Sequence, residues 1–411
     1  MRVLFLSDVY FPRVNGVSTS IATFRTDLAA VGVETTLVAP AYAEAPAVPD
    51  DARVVRVRAG NVPRDPEDRR MLWGELQRTL GALRGERFEL VHVHTPFLAH
   101  YAGVRCARAA GIPVVETYHT FFEEYLHHYV PLLPRALGRR LARTLTRSQC
   151  AQVDALIAPS EPMRAMLAAS GVRRPVQVVP TGMPPDRFAR GDGARFRRLH
   201  NLPVERPLLL YVGRVAHEKN IGFLLDSFVA VRRSRPDALL VIAGEGPARA
   251  SLAQQVQRLG LVRDVAFVGY LDRERSLADC YAAAAVFVFA SRTETQGLVL
   301  LEAMAQACPV VSTAHLGTAS ILQPGCGARV APDEPMGFAQ SVLQLLDDPA
   351  RAARCGQQGQ QYARGWSSAV QAARLRDCYA QLCARANMAP EPASMAAPGE
   401  PHERQACLDS R

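Results

Sequence analysis

Glu294 and Glu302 flank the start of a segment, Ser291 to Gln306, in which a polar loop gives way to a run of Leu, Ala and Met. The apolar stretch before it, Ala282 to Ala290, is rich in Val and Phe and reads as a buried strand. The residues after Gly297 have helical composition. In α/β sheets ligands bind beyond the carboxyl ends of the strands, so the loop between strand and helix is where a site belongs. The first backbone N–H groups of this helix, from about Thr295 through Gln296 and Gly297 to Leu298, lack intrahelical partners and carry the positive end of the dipole. They suit a phosphate. A carboxylate repels phosphate but accepts hydrogen bonds from hydroxyls. Hydroxyls on both sides of a phosphate describe a sugar nucleotide: sugar, pyrophosphate, ribose. Taken alone, Glu294 reads equally well as a helix N-terminal acid and Glu302 as a solvated helix residue.

Cations stand at a second strand end. Gly213-Arg214-Val215-Ala216-His217-Glu218-Lys219-Asn220 leaves a Leu-rich strand, and Arg214 and Lys219 flank the turn into a helix beginning near Asn220. Two cations converging there would neutralise a pyrophosphate; the alternative is a pair of surface cations. Of the 48 basic residues, Lys219 is the only lysine. An ammonium and a guanidinium are not interchangeable, which singles the position out. It also confines Schiff-base chemistry, pyridoxal phosphate included, to Lys219. Gly244-Glu245-Gly246-Pro247 follows another strand end and permits close approach of backbone to a nucleotide, or is a plain turn. Asn15-Gly16 is the analogous turn in the first half.

Tyr118-His119-Thr120 ends a strand beginning near Val114, and an aromatic and acidic stretch including Tyr125 follows, suited to lining an acceptor pocket. His92 and His94 lie on one face of a strand. Without a third ligand they read as packing or polar supporting residues rather than a metal site. No Asp-x-Asp motif follows a strand, so a metal-held diphosphate is not indicated. Arg135, Arg139, Arg143 and Arg147 recur every four residues with Arg140 beside them, and Leu137, Leu141 and Leu145 share that spacing. This is a basic amphipathic helix. Its commoner reading is a solvated basic face on a helix packed by its leucines; binding to anionic lipid is the other. Nucleic acid is not expected, because aromatics are not interleaved with the arginines.

The elements that must position these residues recur at α/β spacing. Arg2 to Ser7 reads as a strand, Val17 to Val31 as a helix and Glu34 to Ala39 as the next strand, the opening of a doubly wound parallel domain. Further strands are expected at 54–57, 90–94, 114–117, 155–158 and 176–179. The pattern breaks at Pro180 to Pro185 and restarts at Leu208, with strands near 239–243, 265–268, 286–289 and 310–312. The expected organisation is α/β, two doubly wound Rossmann-like domains facing a cleft. Residues 1–185 form the first domain, 186–206 a linker with a connecting helix, 207–365 the second domain, 366–387 a terminal helix and 388–411 a disordered tail.

Composition bounds the rest. The 411 residues are 48% hydrophobic and 21% charged, with net charge +9. No apolar run reaches the roughly 18 residues of a membrane span. The N-terminus lacks the basic front of a secretory signal, which leads to an expected cytoplasmic location. Nine cysteines without a Cys-x-x-Cys pair read as reduced packing residues.

With these residues in place, the chain resembles the family-4 retaining glycosyltransferases of the GT-B fold over roughly residues 1 to 385. The resemblance is carried by Glu294 and Glu302, by Arg214 and Lys219, by Asn15-Gly16 and by His119. Within the family, Thr293 to Gly297 and Tyr118-His119-Thr120 are most similar to bacterial diacylglycerol α-glucosyltransferases and glycolipid α-mannosyltransferases. The resemblance implies that the second domain holds a nucleotide sugar, UDP- or GDP-linked, which is a substrate and not a cofactor. Glu294 would contact the sugar hydroxyls, Glu302 the ribose, Arg214 and Lys219 the pyrophosphate, and His119 the transferred hexose. Asn15, Gly16, Gly244 and Leu298 join the donor side, and Tyr118, Thr120, Tyr125 and the basic helix the acceptor side. An acceptor drawn from the membrane would place the protein peripherally at the inner face of the plasma membrane. The competing expectations are a non-hydrolysing sugar-nucleotide epimerase and a non-catalytic sugar-nucleotide-binding protein.

Overall fold

A computed structural model describes residues 1–43, 51–62, 65–119, 135–271 and 276–388. They form two parallel sheets, each covered by helices. The first domain contains β1 (Arg2–Leu6), β2 (Glu34–Pro40) and β3 (Val54–Val57), then a two-stranded hairpin of β4 (Ala59–Val62) and β5 (Asp65–Met71), then β6 (Leu90–Val93), β7 (Val114–Thr117), β8 (Ala155–Ala158) and β9 (Val176–Val178). Its sheet runs β3-β2-β1-β6-β7-β8-β9, with all pairs parallel. The second domain holds β10 (Leu208–Val212), β11 (Leu239–Ala243), β12 (Val265–Gly269), β13 (Val286–Phe289), β14 (Val310–Ser312) and β15 (Arg329–Val330), in the order β12-β11-β10-β13-β14-β15. Strands such as Leu-Leu-Val-Ile-Ala in β11 are apolar without alternation because both faces of a parallel sheet are covered. In each sheet the strand order reverses once, between β1 and β6 and between β10 and β13. Those are the switch points at which such folds bind ligands.

The second domain has one continuous core spanning both faces of its sheet. The first domain has two, one on each face. One of these includes Ala372, Leu375, Cys378, Tyr379 and Leu382 from the final helix, Ser368–Met388, so the chain returns from the second domain to close the first. The two crossings meet where the Met183 N–H donates to the Trp366 carbonyl at 2.6 Å.

Several expectations change. The β4–β5 hairpin was not foreseen, because Ala59 to Met71 lacks apolar alternation and is specified by cross-strand pairing and the buried Met71. The strand expected over Ala282 to Ala290 covers only Val286–Phe289, since Ala282 and Ala283 end the Ser276–Ala283 helix. The connecting helix expected within the 186–206 linker is Gly193–Leu199, and it packs against Ser276–Ala283 as part of the second domain. Arg195 Nε reaches Asp279 Oδ2 at 2.6 Å there, and Phe196 enters the second core. The leucines of the basic helix, Arg135–Cys150, do not pack inward. Leu137, Leu141 and Leu145 are exposed, and the helix rests on a narrow strip of Ala142, Thr146, Gln149 and Cys150. Thr120, Tyr125 and the tail from 389 onward lie outside the described residues, as do the side chains of Arg135 and Arg139. Among the described residues no helix is long and apolar enough to cross a membrane.

Candidate active site

The loops that follow β10, β11, β12 and β13 converge at the switch point of the second sheet. Their order in the sheet dictates this, because β10 lies between β11 and β13. The loop after β10 is fixed to the turn after β11 by backbone bonds. Gly213 N–H donates to Ala243 O at 3.0 Å and Val215 N–H to Glu245 O at 2.9 Å. Gly244 N–H in turn donates to Gly269 O, after β12, at 2.8 Å. Gly244 has φ +132°, and a Cβ there would lie 1.9 Å from Gly213 O, so only glycine permits the approach.

The loop after β13 is stitched to the same structure. Asn220 Nδ2 donates to Ala290 O at 3.2 Å, and Thr293 Oγ1 to Glu218 O at 3.3 Å. The central contact joins Lys219 Nζ to Glu294 Oε2 at 2.6 Å, each side chain about one-fifth exposed. The only lysine of the chain and the acid at the head of the loop therefore form one pair. Arg214 is mostly buried, with Nη1 3.9 Å from Glu218 Oε1. Gly297 precedes the Leu298–Ala305 helix, whose buried Glu302 accepts from the Tyr281 hydroxyl at 3.1 Å.

The first domain supplies the opposite wall. Asn15 caps the Gly16–Ala30 helix, its side chain accepting from Ser18 N–H at 2.8 Å. Asn15, Gly16 and His119 line one cleft together with Arg214, Lys219, Gly244, Glu294, Thr295, Gln296, Gly297, Leu298 and Glu302. The structure thus brings together every expected donor-side residue. Tyr118 lies elsewhere: it is buried, with its hydroxyl 3.2 Å from Thr146 Oγ1 beneath the basic helix. Arg140, Arg143 and Arg147 are exposed on that helix, away from the cleft lining.

His119 heads a column of three imidazoles. His92 and His94 have ring centroids 4.0 Å apart, and His94 Nδ1 lies 3.5 Å from His119 Nε2. His92 Nδ1 is 2.6 Å from the Tyr379 hydroxyl and Nε2 is 2.7 Å from Thr117 Oγ1. Burial pushes His119 down to about 4 and lowers His92 and His94 well below the usual imidazole range, so the column is neutral at pH 7. His119 supplies the partner that His92 and His94 lacked in sequence. Even so, among the described residues no group of three His, Cys, Asp or Glu is arranged to hold a metal ion. At the first sheet's switch point Asp8 accepts from Thr95 Oγ1 at 2.7 Å and from Ala99 N–H at 3.1 Å. Burial nevertheless raises its carboxyl to about 6.

Sequence reasoning missed several cleft residues. Tyr211, Glu218 and Thr181 also line the cleft. Arg13 Nη1 donates to the Tyr270 hydroxyl at 2.7 Å across the two domains. Tyr270 also lines the cleft and belongs to the stretch Gly269 to Leu271 after a strand, where the sequence suggests contacts to the nucleotide base. Arg13 and Thr181 carried no such signal, because their partners lie 257 and 115 residues away.

Comparison with known proteins places this geometry. The profile described as Glycosyltransferase Family 4 matches residues 14–187, and the one described as Glycosyl transferases group 1 matches residues 193–362. An alpha-monoglucosyldiacylglycerol synthase of Streptococcus pneumoniae is 30% identical over 321 residues, covering 76% of this chain and 71% of that protein. A GDP-mannose-dependent alpha-mannosyltransferase of Mycolicibacterium smegmatis is 31% identical over 332 residues, covering 79% and 82%. Among solved structures, sucrose-phosphate synthase from Thermosynechococcus elongatus superposes with TM-score 0.73 at 22% identity, over 94% of this chain and all of that one. An Anabaena protein solved with UDP and glucose gives TM-score 0.71 at 18% identity, over 92% of this chain and 99% of that one. These two likenesses establish the fold, GT-B.

Proposed function

The chain belongs to the glycosyltransferases that join a family 4 first half to a group 1 second half, and from that premise we propose that it moves a hexose, glucose or mannose, from a UDP- or GDP-sugar to a lipid hydroxyl with retention of the α configuration. The observation that carries the reading is the shared cleft. Two cations, a helix start and two acids of the second domain face Asn15, Gly16 and His119 of the first across it. Arg214, Lys219 and the N–H groups at Gly297 and Leu298 suit the pyrophosphate. Glu294 and Glu302 suit hydroxyls on either side of it. His119, held neutral by burial, offers a hydrogen bond to the transferred sugar without a competing charge.

Among the described residues that line the cleft the acids are Glu218, Glu294 and Glu302, all from the second domain, which does not match the two carboxylates flanking the bond that a double displacement uses. Transfer on one face fits better: the leaving diphosphate oxygen takes the acceptor hydroxyl's proton as the new glycosidic bond forms. Arg214, Lys219 and the helix start then stabilise the charge that grows on the leaving phosphate, the role an oxyanion hole has in acyl transfer. In this reading they take the place a metal ion has in other transferases.

The basic helix supports a membrane acceptor. Its exposed Leu137 and Leu141 share the solvent side with Arg140, Arg143 and Arg147. Exposed Phe97 and Tyr101 adjoin it, since Gln149 Nε2 bonds both Pro96 O and the Tyr101 hydroxyl. Apolar side chains ringed by arginines suit an anionic bilayer. The relative whose name specifies diacylglycerol supports that acceptor.

Thermal stability of the purified protein against UDP- and GDP-sugars, with and without EDTA, tests the donor site. A ligand that binds only the native state raises the midpoint. A shift with one nucleotide family that EDTA does not alter supports the reading and names the base; no shift with any nucleotide sugar refutes it. Sedimentation with phosphatidylglycerol vesicles tests the acceptor surface. Equal recovery with neutral phosphatidylcholine vesicles refutes the membrane face.

A further inference from the structure

Gln296 sits in the loop between Glu294 and the helix start, yet its side chain points out of the second domain. Its Oε1 accepts from Thr181 N–H at 2.9 Å, and its Nε2 donates to Thr181 O at 2.7 Å. Gln296 and Thr181 are both almost fully buried. A side-chain amide that pairs with both the N–H and the C=O of one residue mimics a two-point backbone bridge, and Thr181 belongs to the first domain just before the crossing at Met183. Thr181 is itself anchored, its Oγ1 donating to Ser20 Oγ at 2.7 Å on the helix that Asn15 caps. The neighbouring residue is tied as well: Ser160 Oγ, at the start of the Glu161–Ala169 helix, donates to Thr295 O at 2.7 Å. From the other side Gly317 N–H donates to Glu294 O at 2.8 Å. The Gly317 backbone is so close that a Cβ would meet Thr295 O at 2.1 Å.

We propose that Gln296 is a positioning residue that makes the shape of the pyrophosphate loop depend on the seating of the first domain. The inference rests on the donor-site reading above. Among the described residues the first-domain hydrogen bonds to this loop go to Thr295 and Gln296, the two residues between the sugar acid Glu294 and the helix start. When the domains part, the amide of Gln296 and the carbonyl of Thr295 lose all three of these bonds together. The loop then loses the restraint that holds Glu294 and the first helical N–H groups in register. Seating the first domain therefore sets the geometry of the leaving-group site at the moment the acceptor wall arrives, which ties transfer to closure. Water entering an open cleft meets a loop that is not yet set.

The test uses the full chain with Gln296→Met, which keeps length and removes both bonds, and Ser160→Ala, which removes the third. Small-angle scattering of the unliganded proteins reads domain seating, and calorimetry and steady-state rates read donor Kd and kcat. Losing two buried bonds is expected to lower the closed-to-open ratio at least about tenfold. Both variants should show a larger radius of gyration than wild type, with the Gln296→Met change the greater. Donor Kd is expected within about threefold of wild type while kcat falls about tenfold or more, because the restraint acts in the closed state. Scattering curves identical to wild type with kcat within about twofold overturn the proposal, as does a loss of donor Kd that matches the loss of kcat. Should Gln296→Met fail to fold, Ser160→Ala decides the same question. If wild type binds no nucleotide sugar, the donor-site reading fails, while the scattering comparison still decides whether Gln296 seats the domains.

Discussion

Acidification from pH 7 to pH 5 should destabilise the first domain by an amount the histidine column sets. His92, His94 and His119 are neutral in the fold, lowered from an ordinary value of 6.5 by burial. A depressed histidine contributes stability that is present above its unfolded pKa and is lost as pH falls toward the folded value. For His119 that window runs from 6.5 down to about 4. Between pH 7 and pH 5 His119 takes up its proton almost only in the unfolded chain, which costs the fold about 2 kcal/mol, and His92 and His94 add to the loss in the same direction. Asp8 works the other way. Its folded pKa is raised from 3.8 to about 6, so its contribution is fully present below 3.8 and lost as pH rises through 6. Over the same interval it offsets about 1 kcal/mol. The histidines outnumber it, so the net change is a loss, on the order of a few kcal/mol against a domain's usual 5–15. Urea unfolding of the full chain at pH 7, 6 and 5, followed by circular dichroism, measures it. Replacing His94, whose Nε2 has no hydrogen-bond partner among the described residues, by Gln should remove its share and make the fall in stability between pH 7 and pH 5 shallower. A stability that is flat or rising from pH 7 to pH 5 refutes the neutral column, and a His94→Gln slope equal to wild type refutes its share.

At the donor site, Lys219→Ala removes a phosphate cation and leaves Glu294 without its 2.6 Å partner. Initial rates should show kcat/KM reduced about 10²–10³-fold, the scale of losing one oxyanion donor. Lys219→Arg should recover little of it, since a planar fork does not replace a compact ammonium. Full turnover in Lys219→Ala removes the residue from the mechanism. Gly244→Ala forces a Cβ to 1.9 Å from Gly213 O at φ +132°. It should destabilise the second domain by about 2–4 kcal/mol and weaken donor binding with it; an unchanged urea midpoint contradicts the packing described. Glu302→Ala should abolish the thermal shift given by a nucleotide sugar, whereas an undiminished shift assigns the ribose contact elsewhere.

The primary sequence determined the two tandem sheets and most of the donor wall. Parallel strands buried on both faces read as unbroken apolar runs, and the strand-end loops carry their chemistry locally: Arg214 and Lys219 on one turn, Glu294 to Glu302 on another. Local spacing suffices there because strand order brings those loops to one switch point. What only the tertiary structure decided involves partners far apart in the chain. The pairing of Lys219 with Glu294 spans 75 residues and that of Gln296 with Thr181 spans 115. His92 meets Tyr379 across 287 residues because the last helix folds back onto the first domain. The basic helix shows the limit most plainly. Its four-residue leucine spacing reads as a packing face, but the first domain offers that helix only a narrow seat on Ala142, Thr146 and Gln149. The leucines are left in solvent beside the arginines. Amphipathic spacing specifies that a helix has an apolar face; what that face meets is set by the shape of the surface beneath it, which no local pattern encodes.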